Sequence, residues 1–395
     1  MSKVVCPYCF EKFENTEVEF RCNNPGCKKE KDEKLSKFWE PNTQITGKAI
    51  IPSSGLFGIK FSVPESAKCA DCGKESYLMI CPKCHNRIPK EMVKKKGYII
   101  SIIGAKSSGK TNYITTLINE LFRQGRYLGN IGTIAANVAE KPEYNTQQRY
   151  EKDFFDTLYR KGKCPESTDV IDERNKIPLI YELRQKKGKA IYLVFYDTAG
   201  ENFNNPNNIG PNVKFLNESD AVIFLFDTFA IPYVHDKLGI KTPIELPYNG
   251  IIANVLSYFT NFTSSEIRRA HFNKPMALVF SKIDAVLANE EMFADTSFSE
   301  LSMEKNSSFI SGNGVSLSEF QSISESLKAV LSEWNETNFV DTISNAYKNA
   351  KFFGISSLGG QPDSSNNIKK VRPYRVLDPL VWILSELKFP LPINK

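Results

Sequence analysis

A chain of 395 residues, 41% apolar and 24% charged, has room for one large folded unit beside a small one and the make-up of an ordinary globular protein. No apolar run approaches the roughly 18 residues of a membrane-spanning helix, and "MSKVVCPYC" has no secretory core, so the cytoplasm is the expected compartment. The net charge of +6 sits wholly in residues 1–96, where 18 Lys and Arg face 12 Asp and Glu. Eight metal-bound thiolates and two zinc ions would bring that segment to about +2, which argues against a nucleic-acid arm.

Eight of the nine cysteines lie before residue 85, in four close pairs: Cys6 and Cys9, Cys22 and Cys27, Cys69 and Cys72, Cys81 and Cys84. One tight turn presents two sulfurs, and two turns complete a tetrahedron, so the spacing predicts two zinc sites of four thiolates each. A disulfide framework is the competing reading, and a reducing compartment disfavours it. The pairs could join in sequence, giving two ribbons. They could also interleave around "ITGKAIIPSSGLFGIKFSVP", an alternating stretch that reads as a hairpin between the sites. Four thiolates fill each tetrahedron, which leaves His85 a bystander and makes the metals structural. So short a segment buries little surface, and structural zinc contributes ~10–16 kcal/mol in finger peptides. Residues 1–96 are therefore expected to form a zinc-ribbon-like unit, joined by "PKEMVKKKG" to a second unit over 97–395.

In "YIISIIGAKSSGKTNYITTLINELF" an apolar strand (98–103) runs into Gly-x4-Gly-Lys-Thr, and Tyr113, Ile114, Leu117, Ile118, Leu121 and Phe122 then share one helical face. This is a phosphate-binding loop over Gly104, Ala105, Lys106, Ser107, Ser108, Gly109, Lys110, Thr111 and Asn112. Its backbone N–H groups wrap a β-phosphate with help from the helix N-terminus. Lys110 is expected to bridge the β- and γ-phosphates, and the Thr111 hydroxyl to bind Mg²⁺.

Residues 125–165 read as an insert with a helical "QQRYEKDFFDTLYR". A hairpin follows over 177–185 and 190–197, ending in "YDTAGE", where Asp197 would hold Mg²⁺ and the Gly200 amide would sense the γ-phosphate. A switch threonine must precede that hairpin. Thr168, just upstream, fits better than Thr133, which would leave a long helical insert after the switch. Cys164 reads as a plain small residue beside it. Further strands fall at 221–227, ending in a structural Asp227, at 275–281 and at 350–355. The insert 286–348 contains "FADTSFSELSMEKNSSFISGNGVS", polar enough for a mobile loop, and "GGQPDSSNNIKK" reads as a surface loop. In "VLDPLVWILSEL", Val376, Leu380, Ile383 and Leu384 share a face for packing on the sheet. The alternation predicts a doubly wound α/β sheet with the nucleotide at the strand C-terminal ends.

Two elements favour guanine. "KPMALVFSKIDAV" ends a strand in Ser281-Lys282-Ile283-Asp284: a lysine stem can lie along a purine while Asp284 accepts the N1 and N2 hydrogens that only guanine has. "AKFFGISSLGG" ends another strand in Ser356, Ser357 and Leu358, whose backbone can cover the base oxygen.

With these four elements in order, residues 97–395 resemble a P-loop GTPase of the translation-factor-related class with Ras-like strand order. Adding the Cys-Pro-x-Cys knuckles, "GAKSSGKTNY" and "DPLVWILSEL", the chain is similar to bacterial double-GTPase families, which are associated with multi-gene conflict or effector-delivery systems. The resemblance implies a six-stranded, mostly parallel sheet with helices on both faces, GTP hydrolysis to GDP and phosphate, and a protein partner such as a second GTPase or an effector. No second P-loop is present, so any doubling comes from another chain. Three departures stand out. Ser281 replaces the usual Asn that braces the phosphate loop. Lys106 replaces a small residue and could reach the γ-phosphate or solvent. Glu201 replaces the water-positioning glutamine, and slow turnover is expected, because its charge repels the phosphate. The leading reading is a GTP switch whose zinc unit docks a partner or transmits nucleotide state. A ribosome- or nucleic-acid-binding GTPase and a nucleotide-holding scaffold without turnover are the alternatives.

Overall fold

The structure is a computed structural model that describes residues 2–53, 62–94, 97–104, 107–136, 145–165, 177–185, 191–197, 210–241, 243–244, 248–289, 291, 293, 295–296, 298 and 300–394. Its largest element is a sheet of seven strands: β1 Gly97–Gly104, β2 Gly132–Ala135, β3 Leu179–Arg184, β4 Ile191–Asp197, β5 Ala221–Asp227, β6 Met276–Ser281 and β7 Ala350–Gly354. They lie in the order β2-β3-β4-β1-β5-β6-β7. Pairs from β4 to β7 are parallel, whereas β2-β3 and β3-β4 are antiparallel. β1, β5 and β6 are nearly continuous apolar runs because helices cover both faces. Ile99 and Ile103 join Phe224, Phe226, Leu278 and Phe280 on one face, and the alternate residues Ile100 and Ile102 join Leu225, Val279 and Phe353 on the other.

The first face is covered by α3 Gly210–Glu218, α4 Tyr248–Phe262, α6 Leu317–Glu333 and α7 Thr337–Ala346. The second carries α1 Lys110–Gln124 and α8 Asp378–Glu386. A further helix, α2 Thr146–Arg149, continues as a π-helix over Tyr150–Arg160 and buries Tyr150 and Phe154 against that second face. The remaining labelled helix, α5 Ser265–Phe272, runs between α4 and β6. Helix α8 is buried all round, beyond the single apolar face its sequence pattern predicts. Among the described residues no helix is long and apolar enough to cross a membrane.

Two expectations change. The sheet has seven strands because Gly132–Ala135, within the expected helical insert, pairs antiparallel with β3 at the edge. Four residues with one side exposed, Ile134 among them, carry too little apolar pattern to announce a strand. The polar stretch beginning at Phe293 also folds back onto the body of the protein where it is described. Phe293, Leu301, Phe309 and Val315 are buried, and Val315 bridges to Ile393 near the C-terminus. Widely spaced apolar anchors in a polar run have no period to detect. Charge then locks the insert to the C-terminal helix: the buried Arg375 guanidinium donates to the buried Asp378 at 2.7 Å and to the half-buried Glu319 of α6 at 2.6 Å.

The N-terminal region is built from short ladders. Phe20 and Arg21 pair with Ile50 and Ala49 on one side and with Met79 and Leu78 on the other. The expected hairpin of "ITGKAIIPSSGLFGIKFSVP" is not formed by its described part, which pairs elsewhere: Ile45–Gly47 pairs with Lys29–Lys31, and Ala49–Ile50 with the Phe20 strand. The chain changes ladder at Gly47, where a side-chain carbon would sit 1.9 Å from the Cys22 carbonyl. The apolar cluster of this region is continuous with the first face of the sheet.

His271 at the end of α5 stacks 3.6 Å from Phe259, and its Nε2 lies 2.9 Å from the Tyr347 hydroxyl. Burial, helped by the Lys274 ammonium, holds the imidazole well below its usual range. The unfolded chain binds a proton below about pH 6.5 that the folded chain refuses, so this contribution is intact above that pH and is lost as pH falls. In urea titrations, the stability difference between the parent and His271→Gln should shrink between pH 7 and 5.5, with a slope approaching ~1.4 kcal/mol per pH unit. A flat difference would show that His271 takes up its proton in the folded state.

Candidate functional site

The phosphate loop starts where β1 meets β5. A side-chain carbon at Gly104 would lie 2.0 Å from the Leu225 carbonyl and 2.9 Å from Ser108 Oγ, so only glycine fits. Ala105 and Lys106 lie outside the described residues. Ser107 and Gly109 take the left-handed backbone that turns the chain into α1. Lys110 is 8% exposed, and its ammonium donates to the Gly104 carbonyl at 3.0 Å. Ser108 Oγ and Asn112 Oδ1 are buried with no hydrogen-bond partner among the described residues. Thr111 opens the first turn of α1. A buried amine, a helix N-terminus and the unpartnered Ser108 hydroxyl in one loop suit a phosphate chain.

Asp197 ends β4 with its backbone opposite Ile102 of β1, two residues from Gly104. Thr168, Gly200 and Glu201 lie outside the described residues. Thr133 does not: it sits on β2 opposite Leu183, which in turn faces Ile191 at the start of β4. That end of the sheet is level with Gly97, the far end of β1. At about 3.3 Å per residue, Thr133 lies roughly 20 Å from the phosphate loop, too far for a switch residue.

The two elements expected to read the base meet at the ends of β6 and β7. Asp284 is buried and hydrogen-bonds Ser356; burial pushes its carboxyl up, while the Ser356 hydroxyl and the Lys282 charge oppose the shift. A buried carboxylate in this state is stabilised by any added N–H donor. The Ser356 amide donates to the Tyr374 carbonyl at 3.0 Å, so it is not free for a base oxygen. Ser281 Oγ donates to the Phe226 carbonyl at 3.0 Å and so braces β5, where an Asn would reach for the phosphate loop.

The contacts of Asp227 agree with a structural role. One carboxylate oxygen accepts from the Phe229 amide at 3.0 Å; the other accepts from the Lys282 ammonium at 2.5 Å. Lys282 also lies 5.0 Å over the Phe229 ring, in a left-handed backbone, and the Thr228 hydroxyl donates to the Ser281 carbonyl. Asp227, Thr228 and Phe229 thus hold the turn at Ser281 and Lys282. The register of Asp227 opposite Ser281 creates this contact, and one sequence without strand pairing does not show it.

The eight paired cysteines form two groups. Cys6, Cys9, Cys81 and Cys84 converge, as do Cys22, Cys27, Cys69 and Cys72, each within 4.8 Å of one another. The pairing is nested, so the outer knuckles share one site and the inner knuckles the other; the sequential arrangement is not formed. Sulfur separations of 3.7 Å (Cys6–Cys84, Cys22–Cys72) and 3.9 Å (Cys9–Cys81, Cys27–Cys69) match the about 3.8 Å edge of a tetrahedron with 2.3 Å metal–sulfur bonds. They are far beyond a disulfide bond. Three knuckles repeat one turn, in which the amide four residues after the first cysteine donates to that cysteine's carbonyl. That fourth residue is left-handed each time: Phe10, Gly73 and His85. His85 stands outside both groups. Its Nδ1 lies 2.8 Å from Asp32 and its Nε2 3.0 Å from Glu19, and the Arg21 guanidinium donates to its carbonyl at 2.8 Å. Burial alone would raise the Asp32 carboxyl, but His85, the Leu35 amide and Arg21 outweigh it and hold it at about 2.

A mostly parallel sheet with a Gly-x4-Gly-Lys-Thr loop at the end of its central strand defines a P-loop GTPase-like fold. The sequence model of the Double-GTPase 2 family matches residues 98–334, and the chain belongs to that family. It is 24% identical over 322 residues to SaeC of Mycolicibacterium smegmatis, a protein named for ESX-1 scaffolding and assembly; the match spans 78% of this chain and 79% of that one. Among solved structures it is similar to the small GTPase Arl6 of Trypanosoma brucei (11% identity, TM-score 0.30, 74% of this chain and 98% of that one). The GTPase-like domain of Ski7 from S. cerevisiae is comparable (10%, TM-score 0.33, 77% and 53%). At such scores these likenesses add nothing to the strand order itself.

Two outcomes follow from this geometry. The zinc-loaded protein should carry about two zinc ions per chain, and the double variant Cys6→Ser/Cys84→Ser should keep about one; sequential pairing would leave it none. Asp227→Asn keeps an acceptor for the Phe229 amide but frees Lys282. Its GDP dissociation constant should rise three- to tenfold, about 1 kcal/mol, with little change in Tm. Unchanged binding would remove Asp227 from the nucleotide side.

Proposed function

We propose that this chain is a GTP-binding molecular switch with slow, Mg²⁺-dependent hydrolysis, cytoplasmic, with a zinc-stabilised unit over 1–96 and a GTPase unit over 97–395. The observation that carries the reading is Asp284, a buried carboxylate against Ser356 at the ends of β6 and β7. Such a group gains most from a base that offers two adjacent N–H donors, which is guanine and not adenine. Gly104 to Asn112 would cradle the phosphates, with Lys110 neutralising the β- and γ-oxygens. Lys106 would lie within the same loop. Lys282 would lie along the purine and Ser357 and Leu358 over its oxygen. Mg²⁺, held by Thr111, Thr168 and Asp197, would neutralise charge on the phosphate chain. Gly200 would report the γ-phosphate. Glu201, acidic where the attacking water must be aligned, supports a low intrinsic rate. The two cysteine clusters would each hold a structural Zn²⁺ with no open position.

Protein partners are the expected readout of such a switch, within a bacterial multi-gene system of the conflict or effector type. The name of the M. smegmatis relative supports an assembly role. It also favours a second reading, a scaffold that holds nucleotide without turnover, which Ser281 and Glu201 fit equally.

Single-turnover assays with GTP and ATP on the zinc-loaded protein decide between them. GTP alone should be cleaved, slowly, and Glu201→Gln should raise the rate several-fold. Asp284→Ala should weaken GDP binding by roughly 10²-fold without a matching gain for ADP. GTP that binds and survives in both the parent and Glu201→Gln would establish the scaffold, and cleavage of ATP would overturn the assignment of Asp284.

A further inference from the structure

Helix α3 begins ten residues after Gly200 in the chain, and two parts of the molecule grip it. Its C-terminal end is pinned to the sheet layer. The Lys274 ammonium donates to the carbonyls of Leu216 at 3.0 Å and Asn217 at 2.5 Å, and the Asp220 carboxylate just beyond accepts from the Ile99 amide of β1 at 3.0 Å. Phe215 and Leu216 are fully buried.

The second grip comes from the first cysteine knuckle. Phe10, the left-handed residue directly after Cys9, lies 5.5 Å from the Phe215 ring. The next two residues meet the helix with complementary charge: Glu11 accepts from Lys214, and Lys12 pairs with Glu218 at 2.6 Å. The knuckle's own turn fixes these three residues, since the Cys6 amide donates to the Glu11 carbonyl and the Phe10 amide to the Cys6 carbonyl. The junction beside them is not filled. A cleft of about 550 Å³ opens between Val5 and Lys12 on one side and Asn217, Glu218 and Ile99 on the other. Phe10 and Phe215 are themselves buried, so the open part of the junction lies on the side of Lys12 and Glu218.

We infer that Phe10–Lys12 is an intramolecular docking surface for α3, through which the cysteine-cluster region senses and biases the nucleotide state. The inference rests on the GTP-switch reading above. A helix held at Leu216 and Asn217 follows a change at the end of β4 by tilting from its N-terminal turns, and that tilt loads the contacts of Lys214 with Glu11 and of Phe215 with Phe10, just before the pin. Linkage then requires that loosening the knuckle changes the relative affinity for the two nucleotide states. The alternative is a fixed packing contact that both nucleotide states share, and it predicts no such change.

The test is equilibrium binding of fluorescent GDP and a non-hydrolysable GTP analogue to the full, zinc-loaded chain, with zinc content checked for every variant. Lys12→Glu and Glu218→Lys should each change the ratio of the two affinities by about threefold or more, in the same direction, and the double charge swap should restore it. In hydrogen exchange, the amides of Phe215–Glu218 should differ in protection between the two nucleotide states in the parent and lose that difference in Phe10→Ala. If the parent binds both nucleotides, yet the ratio and the protection stay constant across the variants, the docking surface is passive and the inference fails while the switch reading survives. If the parent binds neither nucleotide, both fall together.

Discussion

The nucleotide side of this protein depends on one close approach. At Gly104 the central strand β1 passes so near the Leu225 carbonyl of β5 that no side chain fits. That contact lets β1 end flush against its neighbour, so the chain can turn through Ser107 and Gly109 and enter α1 with Lys110 folded back on the loop. The parallel register then brings the ends of β4, β6 and β7 to the same edge, where Asp197, Asp284 and Ser356 lie. The apolar faces of the sheet supply the rigidity. Ile99 and Ile100 are buried on opposite sides, so β1 cannot slip by a residue without exposing one whole layer.

A different constraint organises the N-terminal region, whose ladders among the described residues are two or three residues long. Nesting the cysteine pairs ties residues 6–9 to 81–84 and encloses the inner site within the outer loop. Each cluster thereby joins segments far apart in sequence, which is where a cross-link removes most freedom from the unfolded chain. Between the ladders, Arg21, Asp32, His85 and Glu19 form a buried charge network in which every ionic group faces an opposite one. Such a network is costly to leave half-formed, and so it specifies one arrangement of the knuckles.

Helix α3 links the two regions. Neither the aromatic contact at Phe10 nor the partly exposed ion pairs is strong alone; each is worth about 1 kcal/mol or less beyond the area it covers. A sum of that size is comparable to ordinary coupling energies between sites, so the junction holds the helix without making it immovable. On the base side a similar economy appears. Ser281 has lost the reach of an Asn, and Asp227, Thr228 and Phe229 hold the turn from the neighbouring strand instead.

The sequence by itself determined the elements whose chemistry is local. The phosphate loop, the strands β1 and β3 to β7, the packed face of helix α8 and the eight paired cysteines are each written in spacing or in apolar period, because a turn, a strand or helix face or a two-sulfur knuckle needs only neighbouring residues. Tertiary structure decided what depends on residues distant in the chain. The nested pairing of the cysteines was open in sequence, since either arrangement satisfies the same spacings. The edge strand β2, and with it the exclusion of Thr133, appears only once the ladder with β3 is formed. The anchors of the 286–348 insert, the hold of Asp227 on Lys282 and the grip of Phe10 on α3 are likewise contacts across the fold. No local pattern encodes them, because their energy comes from surfaces that meet only when the chain has folded.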